Sequence, residues 1–483
     1  MSIRLIALVA LLALHAALSP HLRATSGPSD HGEILHVLNR LSYGPRAGDV
    51  ERVSAMGVQR WIEAQLTPAK IDNAALERKL TRLETLALDA RTLQRDYLGP
   101  AMAERRRRQA AEGTGGAPRS PEGTDNADSD MRGRTPASAA QRKSRQVLAD
   151  LEEAKLLRAV YSERQLEEIL VDFWFNHFNV NAGKGATRNY VGDYEREAIR
   201  PHVLGRFRDM LGATAKHPAM LFYLDNWLSS TPGAPGARSS GLNENYAREL
   251  LELHTLGVDG GYAQQDIVNV AKAFTGWTLQ PRQGSGFIFA ANRHERGAKV
   301  VLGHTLRAGG VDDGEQVLDI VAAHPSTARH LATKLAIRFV SDTPPAGLID
   351  RAAAKFTATS GDLREVVKLI VTSPEFMAAD ASRAKVKTPL EYVASALRAT
   401  GADIRNAVPL ARALRDMGMP LYLCQPPTGY DETAATWVNA GALVSRMNFA
   451  VDLSKNAVRG VRVPLTEEQT LAMKIGAPEF QRQ

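Results

Sequence analysis

The chain has 483 residues, 44% of them hydrophobic and 23% charged, with a formal net charge of +7. These are ordinary globular values, so fibrous, wholly disordered and disulfide-stapled classes are excluded, and the length suits one large domain or two to four smaller ones. A lone cysteine, Cys424, excludes an internal disulfide and any cysteine-rich zinc site.

The positive charge is unevenly spread. Arg4 and Arg23 supply +2, and Ala103–Arg145, with ten basic and six acidic residues, supplies +4. That leaves +1 for all the rest, so no nucleic-acid partner is expected.

In chain order, residues 1–27 read as an export leader. Arg4 starts it, Leu5–Leu18 is apolar except for His15, and Ala24–Gly27 offers small residues for cleavage. The general secretory route to a periplasmic or secreted product is the expectation. No later stretch approaches the twenty apolar residues of a membrane span.

Residues 28–102 read as helical, with breaks at Gly44 and Gly57 and a continuous helical pattern over Ile71–Leu98. Residues 103–145 open on Arg105–Arg108 and hold few large apolar side chains, so they read as a disordered basic insert. Residues 146–453 resume the same helical domain, and 454–483 read as a C-terminal tail. Gln165–Val180 is an aromatic-rich helix, and Tyr190–Leu211 and Pro218–Trp227 read as two more. The loop Asn181–Thr187 carries Lys184 but lacks the glycine spacing of a phosphate-binding loop. Gly286–Ala291 and Lys299–Leu302 are the best strand candidates, paired as one hairpin around His294. Helices return over 314–398 and close with Ala434–Leu453. The fold class is mainly α: a large multi-helix domain with at most one small β-hairpin.

The most informative stretch is Asn243–Val258, NENYARELLELHTLGV. Tyr246, Ala247, Leu250, Leu251 and His254 recur at helical spacing and predict one buried face. Asn243 is placed to cap the start and Gly257 to supply a left-handed stop. The other face carries Glu244, Asn245, Arg248, Glu249 and Glu252. One reading is a solvated ladder of i,i+4 ion pairs through Arg248. The other is a cleft in which Glu249 and Glu252 split their pKa values into an acid and a base.

The blocks HVLNRLSYGP, FWFNHFNV, HPAMLFYLDN, NENYARELLELHTLGVDGGY, HERGAKVVLG, HPSTARHLATKLAIRFV, KTPLEYVASALRATG and QPPTGYDETAATWVNAGALVSRMNFA together resemble the bacterial proteins grouped as "domain of unknown function 1800". The resemblance implies an exported, mostly helical protein and supplies no established activity. The chain departs from that pattern at Glu295, Ala263 and Tyr430, where aspartate, a hydroxyl cap and tryptophan are expected. The alanine should cost the following helix about 1 kcal/mol of capping.

Nucleophile-elbow, HExxH, EF-hand and dinucleotide-binding signatures are absent from the sequence. Three readings of function stand. The first is a hydrolase acting on an envelope or extracellular polymer, with Glu249, Glu252 and Asp225 as catalytic carboxylates and Asn176, His177, Asn245, Arg248 and His254 around the substrate. The second is a metal-dependent enzyme drawing ligands from His177, His217 and His254. The third is a non-catalytic envelope or assembly protein that offers the charged helix to a protein partner. No cofactor is named by the sequence.

Overall fold

Helix ends follow local chemistry closely. Asp30 caps His31–Leu41, accepting from Gly32 N at 3.3 Å, and the helix buries Ile34, Val37, Leu38 and Leu41. Gly57, at φ 87°, separates Asp49–Met56 from Val58–Gln65. Ser138 and Gln141 form a capping box ahead of the long helix Ala139–Tyr161, and Thr388 and Glu391 form another ahead of Pro389–Ala399. Two His-Pro pairs act alike: His217 and His324 each accept a backbone N–H through Nδ1 while Pro218 and Pro325 take the first helical position.

The computed structural model describes residues 30–113, 137–234, 241–280, 286–307, 309–464 and 468–483. The 1–27 leader and residues 114–136 of the insert lie outside them.

The molecule is mainly α. One contiguous core runs from Ile34 to Ile475, built around the helices Ala139–Tyr161, Gln165–His177, Pro325–Phe339 and Pro389–Ala399. Buried ion pairs cross it. Arg398 meets Asp49 at 2.9 Å, Arg338 meets Glu391 at 2.6 Å, and Arg200 meets Glu168 at 2.9 Å.

Several expectations need correction. The pattern over Ile71–Leu98 breaks into Ala74–Leu80, a 3₁₀ turn at Glu84–Ala87, Ala90–Thr92 and a π-helical turn at Leu93–Leu98. Tyr190–Leu211 is likewise divided, with Pro201 inside the 3₁₀ turn Arg200–His202 before Phe207–Lys216 begins. The basic run Arg105–Arg108 is helical within Gly99–Gly113, so the insert's first residues are ordered. Residues 454–483 are no free tail. The Gln481 carbonyl accepts from Lys387 N, Gln483 exchanges two backbone hydrogen bonds with Lys385, and the helix Glu468–Gly476 packs on Ala440–Ser454.

The single hairpin also rearranges. Ile288–Phe289 pairs with Trp277–Thr278, and Val300–Val301 pairs with His304–Thr305. Leu302 and Gly303, at φ 50° and 78°, supply the two left-handed residues of a tight hairpin turn, which claims Val300–Val301 locally. A third ladder joins Asp403–Ile404 to Val461–Arg462. All three ladders are two residues long and leave the helical class intact.

Candidate functional site

The Asn243 helix forms, with a change of pitch. Asn243 Oδ1 accepts from Asn245 N at 3.0 Å, Asn245–Glu249 is α-helical, and Leu250–His254 widens into a π turn before Gly257 at φ 87°. A π turn inserts one extra residue and re-aims the side chains that follow, and such turns recur at functional sites. Tyr246, Ala247, Leu250, Leu251 and His254 are buried.

Two histidines complete the helix end. His177 Nε2 lies 3.1 Å from the His254 carbonyl, and His330 Nε2 lies 3.2 Å from the Leu253 carbonyl. A carbonyl only accepts, so each ring carries its proton on Nε2 and donates to a carbonyl the helix leaves open. Burial, followed by Lys334, holds His177 and His254 neutral, the latter at about 3. His177 is therefore a positioning residue, 2% exposed, and is not part of a substrate surface. His254, at 1% exposed with its ring 5.1 Å from Phe178, is likewise core.

Asn176 also has a structural task. Its Nδ2 donates to the Tyr430 carbonyl and its Oδ1 accepts from Tyr430 N, both at 2.7 Å. Asn179 Nδ2 donates to the Pro426 carbonyl at 2.7 Å, and Tyr223 OH donates to the Gln425 carbonyl at 2.5 Å. These three side chains fasten the Gln425–Tyr430 loop beside the helix. Gly429 sits at φ 74°, and a Cβ there would lie 2.3 Å from the Asn176 carbonyl oxygen. Gly429→Ala should therefore cost at least about 1–3 kcal/mol and speed amide exchange at Tyr430, read by hydrogen-exchange mass spectrometry. Unchanged exchange would refute the clamp.

On the polar face, Arg248 reaches Glu252 at 3.3 Å and Glu244 at 3.5 Å, and Gln264 joins through Arg248 and Glu244. This is the solvated ladder, and it accounts for three of the charged groups. Asn245 is exposed. Glu249 stands apart. It is half-buried, and among the described residues no hydrogen bond or ion pair engages its carboxyl. Burial, then Glu252, push its pKa above the ordinary carboxylate value, with Arg248 opposing. Its charge is also felt at the Tyr223 hydroxyl.

Tyr223 leads to Asp225. Lys184 Nζ donates to the Tyr223 carbonyl at 2.6 Å and to Asp225 Oδ2 at 2.7 Å. Asp225 holds a left-handed conformation at φ 59°, and its carbonyl accepts from Asn243 Nδ2 at 3.4 Å. Tyr223 thus stands between the two groups: its hydroxyl feels the Glu249 charge, and its carbonyl shares Lys184 with Asp225. Lys184, Tyr223 and Asn179 were not singled out in the sequence. Lys184 carried a weak signal, as the only charged residue before Arg188 in a glycine-flanked loop. The Lys184–Asp225 pair is part-exposed on both sides. Asp225→Asn should change stability by less than about 1 kcal/mol in urea denaturation, and a larger loss would make the pair structural.

The proposed histidine ligands do not converge. His217 lies against Tyr194 at 5.0 Å with Nδ1 engaged by Ala219 N, and among the described residues no ring contact or hydrogen bond joins it to His177 or His254. Among the described residues no group of three His, Cys, Asp or Glu side chains is arranged to hold a metal ion. A cavity of about 590 Å³ lies beside His217, and its lining includes no residue of the Glu249 helix.

Fold and site together define a mainly helical domain organised around a π-turned, carboxylate-bearing helix. The chain belongs to the family described as "Protein of unknown function (DUF1800)", which it matches over residues 36–481. The match takes in the insert and the C-terminal segment, in keeping with the packing of Gln481 into the body. No curated protein and no solved structure matches the chain.

Proposed function

We propose that the protein is an exported hydrolase that cleaves an envelope or extracellular polymer by carboxylate acid–base chemistry. The observation that carries this reading is the contrast between two carboxyls on one helix. Glu252 is ion-paired to Arg248, whereas Glu249 is half-buried, unpaired among the described residues and raised in pKa. A carboxyl raised in pKa and free of ion pairs, beside one held by an arginine, is a pairing that general acid–base hydrolysis can use. Glu249 donates to the leaving group, and Glu252 or Asp225 activates water. Arg4 ahead of the apolar Leu5–Leu18 run supports export. Among the described residues no helix is long and apolar enough to cross a membrane.

A binding or assembly role is the second reading. It is favoured by the Glu244–Arg248–Glu252 ladder, which commits two of the helix's carboxylates to Arg248. One assay separates the two. Protein lacking residues 1–27 is incubated with purified peptidoglycan and with insoluble envelope polysaccharide, and soluble reducing ends and free amines are measured. The hydrolase reading expects release that Glu249→Gln abolishes. Polymer pull-down without release, unchanged in Glu249→Gln, would establish binding instead.

A further inference from the structure

We propose that the cavity beside Pro218–Tyr223 is a binding site for an uncharged saccharide unit, separate from the Glu249 helix. The cavity measures about 590 Å³, within the range of small-molecule sites. His217 and Tyr190 line it, with Phe287 as an aromatic wall held edge-on at 5.1 Å by Trp277.

One polar group in the wall is neutral and uncommitted, the outer nitrogen of His217. His217 Nδ1 accepts from Ala219 N at 3.2 Å, so the neutral ring must carry its proton on Nε2. Among the described residues no acceptor meets that N–H. Burial first, then Arg196, hold His217 neutral, at about 3. Tyr190 is 1% exposed and contributes ring surface to the wall, with its hydroxyl buried behind it. A ring N–H left without an acceptor at a part-exposed histidine is open to a ligand hydroxyl or to water.

The rim favours no net charge. Asp89, Asp193, Glu197, Arg91 and Lys216 line it, while Arg196 pairs with both Asp193 and Glu197 and Lys216 pairs with Glu315. Such a balance gives no strong field for an anion or a cation. It does offer carboxylate oxygens to accept from hydroxyls, a ring N–H to donate, and one aromatic face for the C–H side of a sugar. Aromatic residues make up only 6% of the chain, too few for a broad stacking platform, but a single enclosed sugar needs only Phe287.

The proposal does not rest on the hydrolase reading, because its test reads binding alone. Glucose, galactose, mannose, N-acetylglucosamine, cellobiose and maltose are titrated into the protein by calorimetry and saturation-transfer NMR, with phosphate, acetate and spermidine as charged probes. His217→Asn preserves the helix cap and removes the ring N–H. Ala213→Leu, on the cavity wall within Phe207–Lys216, fills the space without removing a polar group. Far-UV circular dichroism and the thermal midpoint confirm that both variants fold. The expected result is saturable binding of at least one sugar, weakened about tenfold or more by each variant. Binding of no sugar, sugar binding equal in both folded variants, or preferential binding of a charged probe would each overturn it.

Discussion

Glu249→Gln is expected to lower polymer cleavage by about 10²–10⁴-fold, the usual contribution of a positioned acid or base, while the thermal midpoint holds or rises. The two halves of that result have one cause. Burial, then Glu252, raise the Glu249 carboxyl, and Arg248 only partly offsets them. A carboxyl raised in the folded state binds protons more tightly there than in the unfolded chain. Its contribution to stability is therefore lost as pH rises from the ordinary carboxylate value through the folded one. Glutamine cannot ionise and escapes that loss. Wild type and Glu249→Gln should unfold alike below the ordinary carboxylate pKa, with the variant the more stable above it. A glutamine variant that unfolds much earlier at neutral pH would instead mark Glu249 as a structural group, and the catalytic assignment would fall with it.

Glu391→Ala should produce the largest loss of stability, about 3–5 kcal/mol in denaturant unfolding at neutral pH. Glu391 is 2% exposed and meets Arg338, itself 5% exposed, at 2.6 Å. It also accepts from Thr388 N and from Gln483 Nε2, both at 2.8 Å. Burial alone would raise this carboxyl. Arg338 and the two donors override burial and hold it at about 2. Because the folded value is depressed, the stabilisation is fully present above the ordinary carboxylate pKa and is lost as pH falls through about 2. Alanine leaves Arg338 buried with only Glu432, at 3.4 Å, as a carboxylate partner. Replacing both partners, as Arg338→Met with Glu391→Leu, should recover most of the loss, since the cost lies in the orphaned charge. A double variant as unstable as Glu391→Ala would contradict that explanation.

The sequence was most readable where structure depends on near neighbours. The stop at Gly257, the breaks at Gly44 and Gly57, and the helix start at Pro218 all depend on residues within one turn, and Asn243 turns the chain just ahead of the Glu244 cap position. The buried face from Tyr246 to His254 was legible for the same reason, and so were the Arg248 ion pairs. The π turn at Leu250–His254 was hidden, because one extra residue barely disturbs a 3.6-residue pattern.

What failed depended on distant partners. Residues 454–483 look like a tail until Gln481 meets Lys387 and Asn456 meets Val463. Asn176 looked like a substrate-facing amide, yet it is fastened to Tyr430 at a separation of 254 residues. His177 looked like a ligand or binding group, yet its ring closes the end of the site helix 77 residues away. A histidine that donates to a backbone carbonyl has the same one-letter code as one that holds a metal. Only Glu249 gained in functional interest from the fold, because it is the carboxyl on its helix that the ion-pair ladder leaves out.

The most direct test is a ¹³C NMR titration of the glutamate side-chain carboxyls, with the Glu249 resonance assigned by its loss in Glu249→Gln. The Glu249 midpoint should lie above the ordinary glutamate value in the wild type and move down in Glu252→Gln as the neighbouring charge is removed. A Glu249 midpoint at or below the ordinary value, insensitive to Glu252, would contradict the division into acid and charged partner on which the proposed chemistry depends.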